Sequence, residues 1–172
     1  MKTATLALDQ TARRVATYLN DGAAVLLVGR RGTGRTLVAK QAHALLTPFV
    51  EPMDRAMIYP NGFALGSLPF RAPHHTCSLS GLIGQTNTRP IHPGEVTLAH
   101  GGVLYLDEIE ELSMRHMRDL ACVYRHKETI FWKNDEVIRI PTNFRLIASC
   151  DASIAALMQV CRAGIPWTSV QL

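Results

Sequence analysis

The sequence predicts an α/β protein, a three-layer α/β/α sandwich around a mainly parallel sheet. Three observations carry this. Short apolar runs at Ala23–Val28, Val103–Leu106 and Phe144–Ser149 have the length and composition of strands buried on both faces. Segments of helical period alternate with them, and strands that alternate with helices build a parallel sheet covered on both sides. A glycine-rich turn, Gly29–Gly34, joins the first run to the next helix, the opening of a βα unit.

In chain order, Asp9–Leu19 reads as a helix because Ala12, Val15, Ala16 and Leu19 fall on one stripe, with Asp9 as its N-cap and Asp21-Gly22 as its stop. Ala23–Val28 is the first buried strand. Arg35 to Leu46 returns to helical spacing, and Pro48 closes it. From Pro48 to His75, prolines 48, 52, 60, 69 and 73 break any long element. A short helix around Asp54–Tyr59 and a strand within Leu68–His75 fit what remains. Ser78–Ile83 reads as helix, Gln85–Pro93 as an inserted loop or hairpin, and Gly94–His100 as resumed helix. Val103–Leu106 ends in Asp107-Glu108. Ser113–His126 is an amphipathic helix with Met117, Leu120, Ala121 and Tyr124 inward. Thr129–Trp132 and Val137–Ile140 flank the charged turn Lys133–Glu136, as in a β-hairpin. After the strand Phe144–Ser149, the tail 152–172 has room for one helix before Gly164.

A chain of 172 residues fits a single domain, and 47% hydrophobic with 19% charged residues excludes wholesale disorder. No apolar run approaches the roughly 18 residues of a membrane span, and Met1–Leu8 lacks the apolar core of a secretory signal. The expected location is the cytoplasm. The formal charge of +4 permits a nucleotide or nucleic-acid partner without requiring one. The basic residues are scattered, which favours a solvated surface. Cys77, Cys122, Cys150 and Cys161 form no C-x-x-C pair and are expected to be free thiols.

Gly29-Arg30-Arg31-Gly32-Thr33-Gly34-Arg35-Thr36 matches the phosphate-binding pattern G-x-x-x-x-G-[basic]-[Ser/Thr], with Arg35 where the pattern has Lys. Glycines let the backbone curl so that its N–H groups converge, and the helix that follows adds its positive end. The expected ATP/ADP contacts are Gly29, Arg31, Gly32, Thr33, Gly34, Arg35, Thr36 and Leu37. Thr36 would offer its hydroxyl to Mg²⁺. Arg35 keeps the charge but is bulky and planar, so weaker nucleotide affinity, impaired hydrolysis, or both, are expected. Asp107 and Glu108 end a buried strand, the edge at which parallel sheets bind ligands. Asp107 is then the second Mg²⁺ residue and Glu108 the candidate general base.

A more distinctive series begins with Pro69-Phe70-Arg71-Ala72-Pro73-His74-His75-Thr76. Leu82-Ile83-Gly84, Pro93-Gly94-Glu95-Val96, Leu98-Ala99-His100 and Gly102–Glu108 follow. Together these resemble the magnesium-chelatase-like AAA+ ATPases, in the competence-protein branch called ComM, over residues 20–151 in unbroken order. The resemblance implies a P-loop NTPase core of the helix-2-insert type, with the insert at Gly84–Glu95, a hairpin at Thr129–Ile140 and a sensor strand at Phe144–Asp151. It also implies ATP-driven rings, usually hexamers, and in this branch action on branched DNA. Three departures stand out. Arg35 replaces Lys. Asp151 takes the place of the sensor Asn and, when ionised, cannot donate to a phosphate oxygen. The family's arginine finger and helical lid would lie beyond Leu172, and Arg162, the only Arg of the tail, does not sit in a finger motif. These departures argue against an efficient autonomous ATPase.

His74, His75, His92 and His100 fit no standard zinc spacing, and on a strand His74 and His75 would point opposite ways. Cys77 lacks a nucleophile's partners. The hairpin, with Lys127, Phe131, Trp132, Lys133 and Arg139, would either touch DNA in a ring pore or simply pack. Two functions remain open: a nucleotide-binding AAA+ domain with weak or absent hydrolysis, or a non-catalytic module that docks on an intact AAA+ ring. Partners on these readings are nucleotide, DNA, further copies in a ring, or an intact AAA+ protein, and no membrane.

Overall fold

A computed structural model of the chain describes residues 2–49, 68–85, 92–133 and 136–172. Five parallel strands form one sheet: β1 (Ala24–Val28), β2 (Phe70–Arg71), β5 (Val103–Leu106), β8 (Arg145–Cys150) and β9 (Trp167–Gln171), in the order β2-β5-β8-β1-β9. Every residue of β1, β5 and β8 is buried. Side chains alternate across a strand, so β1 feeds two cores. Val25 and Leu27 pack with Ala12, Val15 and Leu19 of α1 (Lys2–Asn20) and Val38, Ala39 and Ala42 of α2 (Arg35–Ala44). Ala24, Leu26 and Val28 face the other way, toward Met117, Leu120 and Ala121 of α5 (Met114–His126). Burial of each such large side chain is worth about 1.5–3 kcal/mol. The molecule is therefore the expected three-layer sandwich.

The smaller elements pack on one another between β2 and β5 in the chain. They are α3 (Leu79–Ile83), the antiparallel pair β3 (Gly84–Gln85) and β4 (His92–Pro93), and α4 (Glu95–Leu98). Ser78 caps α3 by accepting from the Gly81 N–H at 3.0 Å. β6 (Glu128–Lys133) and β7 (Glu136–Pro141) form the expected hairpin. α6 (Ile154–Cys161) is the tail helix.

Three expectations are revised. The first helix begins at Lys2, so Asp9 lies inside it and binds Arg13 one turn on at 3.1 Å instead of capping. The tail also supplies β9, which pairs with β1. Only Val170 of that strand is fully buried, so no continuous apolar run marks it in the sequence. His74 and His75 lie between β2 and α3, off any strand, and their rings sit 4.0 Å apart. The Asp54–Tyr59 helix lies outside the described residues. Of the 85–93 insert, Gln85↔His92 is described, as is the flanking pair Gly84↔Pro93.

The separated motif pieces meet in this fold. Arg71 of β2 grips Glu95 of α4 through Nε at 2.7 Å and a terminal nitrogen at 2.8 Å, a fork-to-carboxylate pair. His100 Nδ1 accepts the Asn143 N–H at 3.0 Å, fixing the approach to β8. Gly94 sits where any Cβ would lie 2.3 Å from the backbone of Ile83 and Gly84. Gly94→Ala is therefore expected to destabilise by about 1–3 kcal/mol through overpacking, read as a lower denaturant midpoint. An unchanged midpoint would refute this packing.

Candidate functional site: the loop after β1

The loop from Gly29 to Gly34 leaves the carboxyl end of β1 and enters α2. The Gly29 N–H donates to Cys150 O at 3.2 Å, tying the loop to β8. Gly32 and Gly34 adopt φ of 85° and 93°, the left-handed region that glycine enters without strain. Gly34 is the N-cap of α2 and has no side chain to satisfy the first-turn donors. The Val38 N–H is the first to reach back, to Gly34 O at 2.9 Å. The first-turn amides of α2 thus have no side-chain cap, and the positive end of the helix lies at the loop, an arrangement suited to an anion, although the Thr33 N–H is itself bonded to Arg30 O at 3.3 Å. Thr33 folds inward and donates to Arg30 O at 2.9 Å.

β5 ends two strands away in the sheet, which puts Asp107 and Glu108 roughly 10 Å across from β1 at ordinary strand spacing. Arg35 bridges that gap. Although it opens α2, its side chain turns back and is 6% exposed. One terminal nitrogen donates to Gly29 O at 3.2 Å. The other lies 3.6 Å from Asp107 Oδ1 and 3.8 Å from Glu108 Oε1. Arg31 Nε reaches Glu108 Oε1 at 2.7 Å, and His75 Nδ1 lies 3.6 Å from Glu108 Oε2. Both oxygens of Glu108 thus face basic side chains, and the residue itself holds a left-handed φ of 52°.

Hydroxyl groups complete the floor. The Tyr105 phenol lies 3.1 Å from Asp107 Oδ1, 3.3 Å from Ser149 Oγ and 3.3 Å from Thr36 Oγ1. With one proton, it donates to Asp107 or Ser149 and accepts from Thr36. Burial pushes the Tyr105 pKa up, so the phenol stays neutral. The Ser149 hydroxyl donates to Asp107 Oδ1. Neither Tyr105 nor Ser149 was singled out from sequence. A signal existed for Tyr105, which shares a strand face with Asp107 two residues on.

Arg31, Gly32, Gly34, Arg35, Thr36, Leu37, Asp107 and Glu108 line one open cavity of about 370 Å³. Of the expected contacts, Gly29 and Thr33 are not among the described residues that line it. Asp151 lies beside this cavity, in a depression shared with Arg30 and Arg31. Its Oδ1 accepts from the Ser153 N–H at 2.9 Å, and its own N–H donates to Glu110 Oε1 at 2.8 Å. The donor set at Thr36, Tyr105 and Asp107 is all hard oxygen, which suits Mg²⁺, with the Arg35 guanidinium as the competing cation. No cluster of three His, Cys, Asp or Glu residues that could hold a metal occurs among the described residues. No helix among them is long and apolar enough to cross a membrane. All four cysteines are free.

Comparison with known proteins gives a consistent picture. A family model described as magnesium chelatase, subunit ChlI, matches residues 8–164. Competence protein ComM of Haemophilus influenzae is 33% identical over 154 residues, which cover 84% of this chain and 30% of that protein. The chain thus spans under a third of the length of this curated relative. Among solved structures, NtrX from Brucella abortus superposes with a TM-score of 0.68 at 22% identity, covering 98% of this chain and 35% of that one. NtrX was also solved with ADP and with ATP. A cryo-EM-based structure of the complex between magnesium chelatase subunits BchI and BchD matches with a TM-score of 0.63 at 24% identity, covering 87% of this chain and 52% of that one. At these identities the structures establish the fold, a P-loop NTPase core of the AAA+ kind.

Cys150 ends β8 against the loop, and burial first, then the Glu110 charge, pushes its thiol up to about 11. The folded state therefore disfavours the thiolate, and the associated stability is present below the unfolded-state pKa near 9 and lost as pH rises toward 11. In native protein at pH 8, iodoacetamide is expected to modify exposed Cys122 and Cys161 and to spare Cys150. Peptide mapping that finds Cys150 labelled as fast as the other two would contradict its burial.

Proposed function

The chain belongs to the magnesium chelatase ChlI family, and from that premise we propose that it is an ATP- and ADP-binding AAA+ module with weak or absent hydrolysis of its own. One observation carries the reading: residues of the glycine-rich loop and the start of α2 share a single cavity with the acidic pair that ends β5. In this reading the polyphosphate lies along the backbone of Gly29 and Arg31–Leu37, at the positive end of α2. Mg²⁺ held by Thr36 and Asp107 would neutralise charge on the phosphate oxygens. Glu108 is the residue that would accept a proton from an attacking water, and Asp151, beside the cavity, would take the sensor's part.

The same geometry explains why turnover should be poor. Glu108 Oε1 is held by Arg31 and approached by Arg35, and Oε2 faces His75. A base so engaged must shed a cation before it can take a proton. Arg35 spends its charge on these acids and on Gly29 O, where a lysine would extend to the phosphates. Asp151 brings a further negative charge to the loop's rim, beyond Asp107 and Glu108, and when ionised cannot donate to a phosphate. This clasp also favours a second reading, a non-catalytic module that regulates an intact AAA+ ring. The BchI–BchD complex makes an AAA+ subunit a natural class of partner. DNA is the partner expected by analogy with the competence-protein relative. Among the described residues of the hairpin, Trp132 supports that link: it is 71% exposed and so available for base stacking. Location in the cytoplasm fits four free thiols.

Calorimetry should detect ATP and ADP binding, strengthened by Mg²⁺. No heat at millimolar ATP would defeat the nucleotide reading. Arg35→Lys should tighten Mg-ATP binding by about tenfold, or 1.4 kcal/mol, and equal or weaker binding would show that Arg35 is no obstacle. Arg35→Lys with Asp151→Asn should raise steady-state phosphate release if the chain is an impaired enzyme. Unchanged release would favour the regulatory module.

A further inference from the structure

A second cavity, of about 300 Å³, opens at the other edge of the sheet. The five residues of β1, at about 3.3 Å each, put it roughly 16 Å from the glycine-rich loop. Leu19, Phe49, Tyr124, Arg125, Lys127 and Arg145 are among its lining residues, and no Asp or Glu is among the described residues that line it. Arg145, the first residue of β8, is 6% exposed. Its Nε donates to Leu19 O at 3.2 Å, one terminal nitrogen donates to Asn20 Oδ1 at 2.9 Å, and the guanidinium lies 4.1 Å from the centre of the Phe49 ring. The other terminal nitrogen is buried without a hydrogen-bond partner among the described residues.

A guanidinium buried this deeply ordinarily faces a carboxylate, because an unpaired buried charge is costly. Arg145 has none within ion-pair distance among the described residues. The carbonyl end of α1 compensates it in part, but that contact uses other nitrogens. Desolvation lowers the Arg145 pKa, the mark of an undercompensated cation. Arg125 and Lys127 add charge at the rim and form no ion pair with a described residue. Phe49 and Phe144 give the cavity an apolar seat.

We propose that this cavity binds a small organic oxyanion, a phosphate or carboxylate on an apolar body. Arg145 is the buried donor, and Arg125 and Lys127 draw the anion in. Such a site stands apart from the nucleotide loop and does not depend on it.

Amide chemical shifts of the ¹⁵N-labelled protein, titrated with phenyl phosphate and separately with benzoate, test the proposal. Shifts are expected at Gly22, Asn143 and Arg145, unchanged by millimolar ADP. The tighter probe identifies the anion. Arg125→Gln with Lys127→Asn, the latter chosen because asparagine tolerates the φ of 57° at that position, should weaken binding by roughly tenfold. The spectrum of the variant itself verifies its fold. No shifts at tens of millimolar of either probe, shifts confined to residues 29–36, or equal affinity in the double variant would each overturn the proposal.

Discussion

The contact on which the site depends is the reach of Arg35 across the face of β8 to Asp107 and Glu108. A basic residue at this place in a phosphate loop ordinarily has one demand on it, the incoming anion. Here it is already satisfied inside the protein. Arg31 and His75 reinforce the arrangement by approaching Glu108 from other elements. The loop, β5 and the segment after β2 are therefore joined by charge before any ligand arrives. On the proposed function, ligand phosphates would compete with carboxylates for the same side chains, and that competition would set both the affinity and the readiness of the acids for chemistry.

The residues that most distinguish the sequence turn out to be largely architectural. Arg71 and Glu95 lie in different motif pieces and bind each other. Gly102 is needed because Pro69 O would lie 2.0 Å from any Cβ placed there. His100 fixes Asn143 at the turn into β8. His75 alone of the paired histidines faces the acidic site. A motif that looks chemical in sequence can thus owe its residue types to close packing around a small satellite structure, with one member, His75, turned toward Glu108.

Much of the fold was legible because β1, β5 and β8 are buried on both faces, which leaves uninterrupted apolar runs. β9 escaped for the opposite reason. It sits at the sheet edge, and Thr168, Ser169 and Gln171 leave no run to detect. The start of α1 was misplaced because Asp9, a good capping type, serves instead as half of a surface ion pair. Within the site, spacing located the loop and the acid pair. It could not reveal that Arg35 folds back, since rotamer choice depends on what lies across the sheet. Nor could it reveal that the hydroxyls of Tyr105 and Ser149 converge on Asp107, because that requires the parallel register of β5 and β8.

β9 also gives the loop a mechanical neighbour. The Leu172 N–H bonds Val28 O at 2.9 Å, and the space beside Gly29 is closed by the Leu172 backbone and side chain. The first glycine of the loop is thereby wedged between Cys150 on one flank and the end of the edge strand on the other. An edge strand has hydrogen-bonding neighbours on one side only and is the easiest to displace. The packing beside Gly29 therefore depends on β9 holding its place against β1.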